Sequence, residues 1–305
     1  MTFPLRRLAS AAFQGVLRGL CVLLLSGCDG GIPAPPTPTT GPPPSPAPTS
    51  TPTPLFTPLP PVSLSVRFPQ TVSALEGVTV TVELPGLAER DPQARVWAQV
   101  FPPDAQEPFW ESPLEPIGNG KYVSSRPLHL PLKSIPGEWR LLIDVHTAAA
   151  VEGNRRFPFR QEPIPFWDLN GQVPEEVTLL VPQEFLLTRQ EGDRVAGVRI
   201  WRRGEERVEL WWAPGPAEPL TQDTAQMLVE ATFPVMGTVE ILSAEAVIRG
   251  KRPGFRFQEQ WPEGPAEALV VQGSSRYLYL LRVGVSGRPA LTHLLQEIQA
   301  ALSVR

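Results

Sequence analysis

The chain is poor in the residues that most often carry chemistry or cross-links, with two cysteines, three histidines and three methionines among 305 residues. Two cysteines exclude a disulfide framework and any paired-cysteine metal motif. A copper site needs His, Met or Cys ligands that converge on one point. His129, His146 and His293 are far apart in sequence, and no methionine falls between residues 63 and 165. There is no G-x-S-x-G, no H-E-x-x-H and no glycine-rich phosphate loop. Basic runs are missing as well, and a net charge of −4 argues against nucleic acid and against electrostatic adhesion to anionic lipid. No apolar stretch reaches the roughly 18–20 residues that a membrane-spanning helix needs. The residues therefore assign no catalytic site, no metal and no cofactor.

What is present begins at the amino terminus. Arg6, Arg7 and Arg18 precede a short apolar run, Leu20 to Leu25, and the small residues Ser26 and Gly27 stand before Cys28. That is the three-part pattern of a secretory signal. The stretch Leu25-Ser26-Gly27-Cys28 resembles the lipobox of bacterial lipoproteins. The resemblance implies cleavage between Gly27 and Cys28, a diacylglyceryl group on the Cys28 thiol and a further acyl chain on the new α-amine. Several chains together hold a protein on a membrane where one alone holds it weakly. The implied address is the outer face of the bacterial cytoplasmic membrane, in the extracytoplasmic space. Loss of residues 1–27 removes three arginines and no acid, which takes the formal charge to about −7 and leaves Cys28 the only thiol.

Residues 28–62 carry the anchor cysteine and a tract of mostly Pro, Thr, Ser, Ala and Gly. Such a composition cannot bury enough apolar surface to fold, and its prolines favour extended polyproline II. At about 3.1 Å per residue the tract spans on the order of 90 Å, a stalk that lifts the folded part from the membrane. It serves as a passive spacer or as a binding motif.

From residue 63 to 165 the composition turns to short β-rich runs punctuated by Pro and Gly. TVTVELP (79–85) alternates Val80, Val82 and Leu84 against polar partners, and ARVWAQVFPP puts Val96, Ala98 and Val100 on one face. GKYVSSRPLHLPL, GEWRLLIDVHT and NRRFPFRQ complete the set. This spacing predicts an antiparallel β-sandwich. Gly120-Lys121-Tyr122 followed by Gly137-Glu138-Trp139-Arg140-Leu141 resembles immunoglobulin-like domains of the YtkA-like sort, which implies core positions for Tyr122 and Trp139.

A turn-rich junction at 163–176, with Phe166 and Trp167, leads into a second domain, 166–305. FLLTRQ, VAGVRIWR and RVELWWA read as three strands, and residues 221–233 read as a helix with Thr221 as N-cap. GTVEILSAEAVIRG, GFRFQEQW, EALVVQG and RYLYLLRVGV read as four more strands. A last helix places Leu291, Leu294, Leu295, Ile298 and Leu302 on one stripe. The order predicts an α+β domain with a mainly antiparallel sheet. It resembles the PsbP-like α/β/α sandwich in its central helix, its GFRFQEQW and SSRYLYLLRV strands and its closing helix. It departs from that family where LVPQEFLL replaces an aromatic–Pro–x–Gly–Trp start. The resemblance implies a non-enzymatic accessory or binding subunit, with an envelope protein as partner.

One register follows from the residues alone. A two-residue Gly204-Glu205 turn pairs Ile200 with Glu209 and mixes apolar with charged faces, whereas a three-residue loop pairs Ile200 with Leu210 and Val198 with Trp212. The second predicts an Arg199–Trp211 pair, with Trp201 and Trp211 on one sheet face. That face is either a platform for a sugar or other ligand or partner, or it lies under a helix. Carboxylates are numerous enough to keep a second reading open, a hydrolase acting on cell-envelope glycan through two facing acids.

Overall fold

A computed structural model describes residues 63–148, 151–233, 239–249 and 251–305, apart from the side chains of 151–154. Cys28, Gly27 and the Pro/Thr tract lie outside the described residues. Residues 61–305 form one compact unit.

The first sheet is built from β1 (Ser65–Arg67), β2 (Thr71–Val72), β3 (Thr81–Glu83), β4 (Arg95–Phe101), β5 (Trp110–Gly118), β6 (Lys121–Ser124), β7 (Trp139–His146) and β8 (Val151–Gln161), with the one-turn α1 (Leu87–Arg90) after β3. Its order is β1-β3-β6-β5-β4-β7-β8-β2, antiparallel except for β2 beside β8. The two-residue period decides which side chains are buried. Val80, Val82, Leu84, Val96, Ala98 and Val100 are all sealed from solvent, as the alternation predicts. Tyr122 and Trp139 are core residues, and a chain of aromatic contacts runs from Phe68 through Phe159 and Trp139 to Phe109. β5 goes unrecognised in the sequence because Pro113 and Pro116 interrupt it. Pro116 stands at a register shift against β6, where a missing N–H is tolerated.

After β9 (Val177–Thr178) comes the second sheet: β10 (Leu186–Gly192), β11 (Gly197–Arg203), β12 (Glu206–Pro214), β13 (Glu240–Arg249), β14 (Arg252–Trp261), β15 (Gly264–Gln272) and β16 (Tyr277–Val285). It is antiparallel throughout, in the order β10-β11-β12-β16-β15-β14-β13. α2 (Gln222–Ala231) lies between β12 and β13. α3 (His293–Ala300) follows β16, and β17 (Ser303–Val304) returns to pair with β9. α2 starts where the sequence places it, with the Thr221 hydroxyl accepting from the Thr224 amide, whereas α3 starts later than expected, leaving Leu291 outside it, at a Thr292 hydroxyl that accepts from the Leu295 amide.

Neighbouring residues of β15 and β16 join different cores. Val270 and Leu280 pack with Ala225 and Val229 of α2, while Leu269, Val271 and Leu281 belong to the cluster that holds Leu294, Leu295 and Ile298 of α3. That second cluster continues without a break into the core of the first sheet. A side chain from the junction ties the pieces further. Glu176 accepts from the Ser274 hydroxyl (2.8 Å), the Ser275 amide (3.1 Å) and hydroxyl (2.8 Å) and the Tyr279 hydroxyl (2.8 Å). Gly273 leaves room for it, since a Cβ there would stand 2.2 Å from the carboxylate.

Burial pushes the Glu176 carboxyl up, but the donors from Ser275, Ser274 and Tyr279 outweigh it and hold the group below the usual carboxylate range. A depressed folded-state value gives stability that is full above the unfolded value and is lost as pH falls through the folded one. Glu176→Gln is therefore expected to cost about 1–3 kcal/mol at pH 7. In urea unfolding the gap from the parent should narrow at pH 3.5.

Candidate functional site

The β11–β12 hairpin corrects the expected register. Ile200 pairs with Glu209, Arg199 with Leu210 and Trp201 with Val208, so the turn is the two-residue Gly204-Glu205. Gly204 takes φ 55°, as the first central position of a type II′ turn requires. The shift of one residue puts Trp201 and Trp211 on opposite faces. Trp201, at 1 % exposure, and Arg199, at 3 %, are buried. The expected Arg199–Trp211 pair does not form, because the guanidinium of Arg199 lies 5.1 Å from the centre of the Trp212 ring instead. It donates to the carbonyls of Glu191 (3.0 Å) and Val198 (2.9 Å). Trp211, half-buried, carries Arg189 over its ring at 5.9 Å. Trp201, Trp211 and Arg199 therefore do not form one exposed ligand platform.

The mixed face that disfavoured this register turns out to be a charged cluster. Glu209 on β12 lies opposite Arg282 on β16, and Glu259 on β14 is brought beside them. All three are buried, at 1 %, 0 % and 1 % exposure. Gly284, Ala266 and Ala268 form the floor between, and their small size leaves space for the long charged chains. Arg282 Nε is 3.1 Å from Glu259 Oε2, and its Nη1 is 3.5 Å from Glu209 Oε2. The same guanidinium donates to the carbonyls of Val229 (2.9 Å) and Thr232 (3.1 Å), at the end of α2. The Val229 carbonyl also accepts from the amide (3.2 Å) and hydroxyl (2.9 Å) of Thr232, so Arg282 adds to a C-terminal cap that Thr232 begins.

Each acid is also held by a tryptophan two residues on along its own strand. Trp211 Nε1 donates to Glu209 Oε2 (2.9 Å), and Trp261 Nε1 donates to Glu259 Oε2 (2.6 Å). The i, i+2 spacing makes this possible, since it keeps both side chains on one face of the strand. Arg207 pairs with Glu209, and the guanidinium groups of Arg207 and Arg282 lie 5.5 and 5.7 Å from the Trp261 ring centre. Phe233 adds a third ring, 5.5 Å from Arg282. Burial pushes the Glu259 carboxyl up, against the pull of Arg282 and Trp261, and burial likewise pushes Arg207 down. The repeated Glu-x-Trp, Glu209-Leu210-Trp211 and Glu259-Gln260-Trp261, was readable in the sequence and marks the cluster.

The acids are held by fixed cations and indoles, an arrangement that resists charge movement. No group of three or more His, Cys, Asp or Glu is placed to hold a metal among the described residues. A depression of about 250 Å³ on the first sheet is floored by Gln161, which is tied to the Pro131 carbonyl and the Ile135 amide. That volume is below the ~300–1,000 Å³ of small-molecule sites. Phe166 and Trp167 at the junction are partly buried, and Trp167 Nε1 donates to the Phe185 carbonyl (2.7 Å).

No family model matches the chain. No curated protein matches it in sequence. Among solved structures it is similar to cyanobacterial PsbP (CyanoP) from Synechocystis sp. PCC 6803, at 11% identity and a TM-score of 0.34, over 43% of this chain and 87% of that one. The fold itself is mostly antiparallel β-sheet with few helices.

Two outcomes follow for unfolding experiments. Arg282→Met leaves two buried carboxylates without their shared cation and should cost about 3–5 kcal/mol. Trp201→Ala should cost about 3–5 kcal/mol as a core cavity, against almost nothing for an exposed ligand platform.

Proposed function

We propose that the protein is a membrane-anchored extracytoplasmic lipoprotein that acts as a non-enzymatic binding or accessory subunit. The observation that carries this reading is Cys28, placed after the Leu20 to Leu25 run and Ser26-Gly27 and ahead of a Pro/Thr tract. Lipid on Cys28 holds the chain at the outer face of the cytoplasmic membrane, and the tract keeps the folded unit at a distance from it. No helix among the described residues is long and apolar enough to cross a membrane.

In this reading the first sheet is an immunoglobulin-like sandwich of the YtkA-like sort. The second, with α2 and α3, is a PsbP-like α/β/α layer, a fold whose members serve as accessory subunits. A non-enzymatic role agrees with the charged cluster, where Glu209 and Glu259 are spent on Arg282 and on two indoles. A glycan hydrolase would instead need two facing acids open to substrate and water.

Metabolic labelling of the full chain in its own host with a palmitate analogue tests the anchor. Label should enter the parent and be absent from Cys28→Ser, and the variant should leave the membrane fraction. Label kept by Cys28→Ser would sink the lipoprotein reading. Affinity capture from detergent-solubilised envelope, with the parent as bait, should recover a stoichiometric protein partner. Recovery of none, together with turnover of envelope glycan that Glu209→Gln or Glu259→Gln abolishes, would replace the accessory reading with the hydrolase.

A further inference from the structure

Two of the chain's three histidines meet. His129, beyond β6 in the first sheet's part of the chain, and His293, the first residue of α3, stack with ring centres 4.2 Å apart and planes 14° from parallel. We propose that this pair is an acid-sensitive latch between the first sheet and the closing helix, made while both rings are neutral and loosened when both are charged.

The surroundings favour that behaviour. His129 is half-buried and lies close over Gly77, where a Cβ would stand 2.6 Å from its Cε1, so the glycine leaves the space that the ring occupies. The acid that pairs with the stack lies on the His293 side. Glu297, one turn along α3, has Oε1 3.9 Å from His293 Nε2. Glu206 of β12 accepts from the Thr292 hydroxyl and is already paired with Arg203. Glu76 precedes the Gly77 that backs His129. Glu297 is placed to pair with a charged His293 ring. A charge on both rings at once places two cations across one ring-to-ring contact. Burial first, and the His293 charge second, hold the His129 imidazole below its ordinary value.

The stack is not a metal site in disguise. Nitrogen lone pairs lie in the ring planes, and in near-parallel stacked rings they cannot converge on one ion. For the sign of the effect, the folded state binds fewer protons at His129 than the unfolded chain. The stability it contributes is therefore full above the unfolded value of about 6.5 and is lost as pH falls below it.

The test uses the full chain in detergent micelles, with His129→Gln, His293→Gln and the control His146→Gln. Between pH 7.5 and 5.5 the thermal midpoint of the parent and of the control should fall by about 3 °C or more beyond that of either latch variant. The histidine Cε1 protons of the parent give a second readout, one that does not depend on a variant folding. His129 should titrate below the value of about 6.5 seen in unfolded peptides. In His293→Gln it should titrate at a higher pH than in the parent. Parallel midpoint curves for all four proteins, or a His129 titration at or above the peptide value, would overturn the latch.

Discussion

The second sheet depends on one buried guanidinium. Arg282 sits at the centre of β16, with its charge balanced by Glu209 on one neighbouring strand and Glu259 on β14, and with its remaining donors on the last carbonyls of α2. A lone buried charge costs far more than a fold can spare, so the cation requires both acids, and each acid requires its indole partner. The same contacts fix the helix to the sheet at one point. Register, helix position and the burial of Arg282, Glu209 and Glu259 are thus consequences of one another. This explains why the Gly204-Glu205 turn is adopted although it brings Glu209 opposite Ile200.

Much of the architecture was legible because burial follows simple periods. The runs around Val80, Val96 and Trp139 alternate as half-buried strands do, and the Leu294, Leu295 and Ile298 stripe follows the helical period. The N-cap Thr221 stands where a hydroxyl satisfies a first-turn amide, while the Thr292 cap went unread. What misled was the assumption that a charged residue faces water. Under that rule Glu209 must point outward, the hairpin loop gains a residue, and Trp201 lands beside Trp211. The structure buries the glutamate and compensates it with Arg207, Arg282 and Trp211. Two of those partners are two residues away in sequence, which is why the Glu-x-Trp repeat was an available signal; Arg282 is brought in only by the β12–β16 pairing. β5 was missed for a different reason, since Pro113 and Pro116 in a strand are tolerated only where the ladder does not need their N–H. The His129–His293 contact has no local signature at all, because it joins parts of the chain that only the finished fold brings together.

The proposed address and the proposed spacer are matters of sequence pattern, carried by Cys28 with the residues before it and by the proline-rich tract. The folded unit supplies shape and stability. Four of its acids are committed to fixed partners: Glu209 and Glu259 to Arg282, Glu176 to the β15–β16 turn, Glu206 to Arg203 and Thr292. Acids held in this way are consistent with the tethered accessory subunit proposed above.

The central physical claim is that Arg282 and the two acids are one interdependent unit. A double-mutant cycle on Arg282→Met and Glu259→Met, read by urea unfolding, addresses it most directly. Interdependence predicts that the double variant is more stable than the sum of the single losses implies, by about 1–3 kcal/mol, because Glu259 is then not left without its cation and Glu209 keeps Arg207. Losses that add to within about 0.5 kcal/mol would show that the two side chains act separately, and the account of the second sheet would fail.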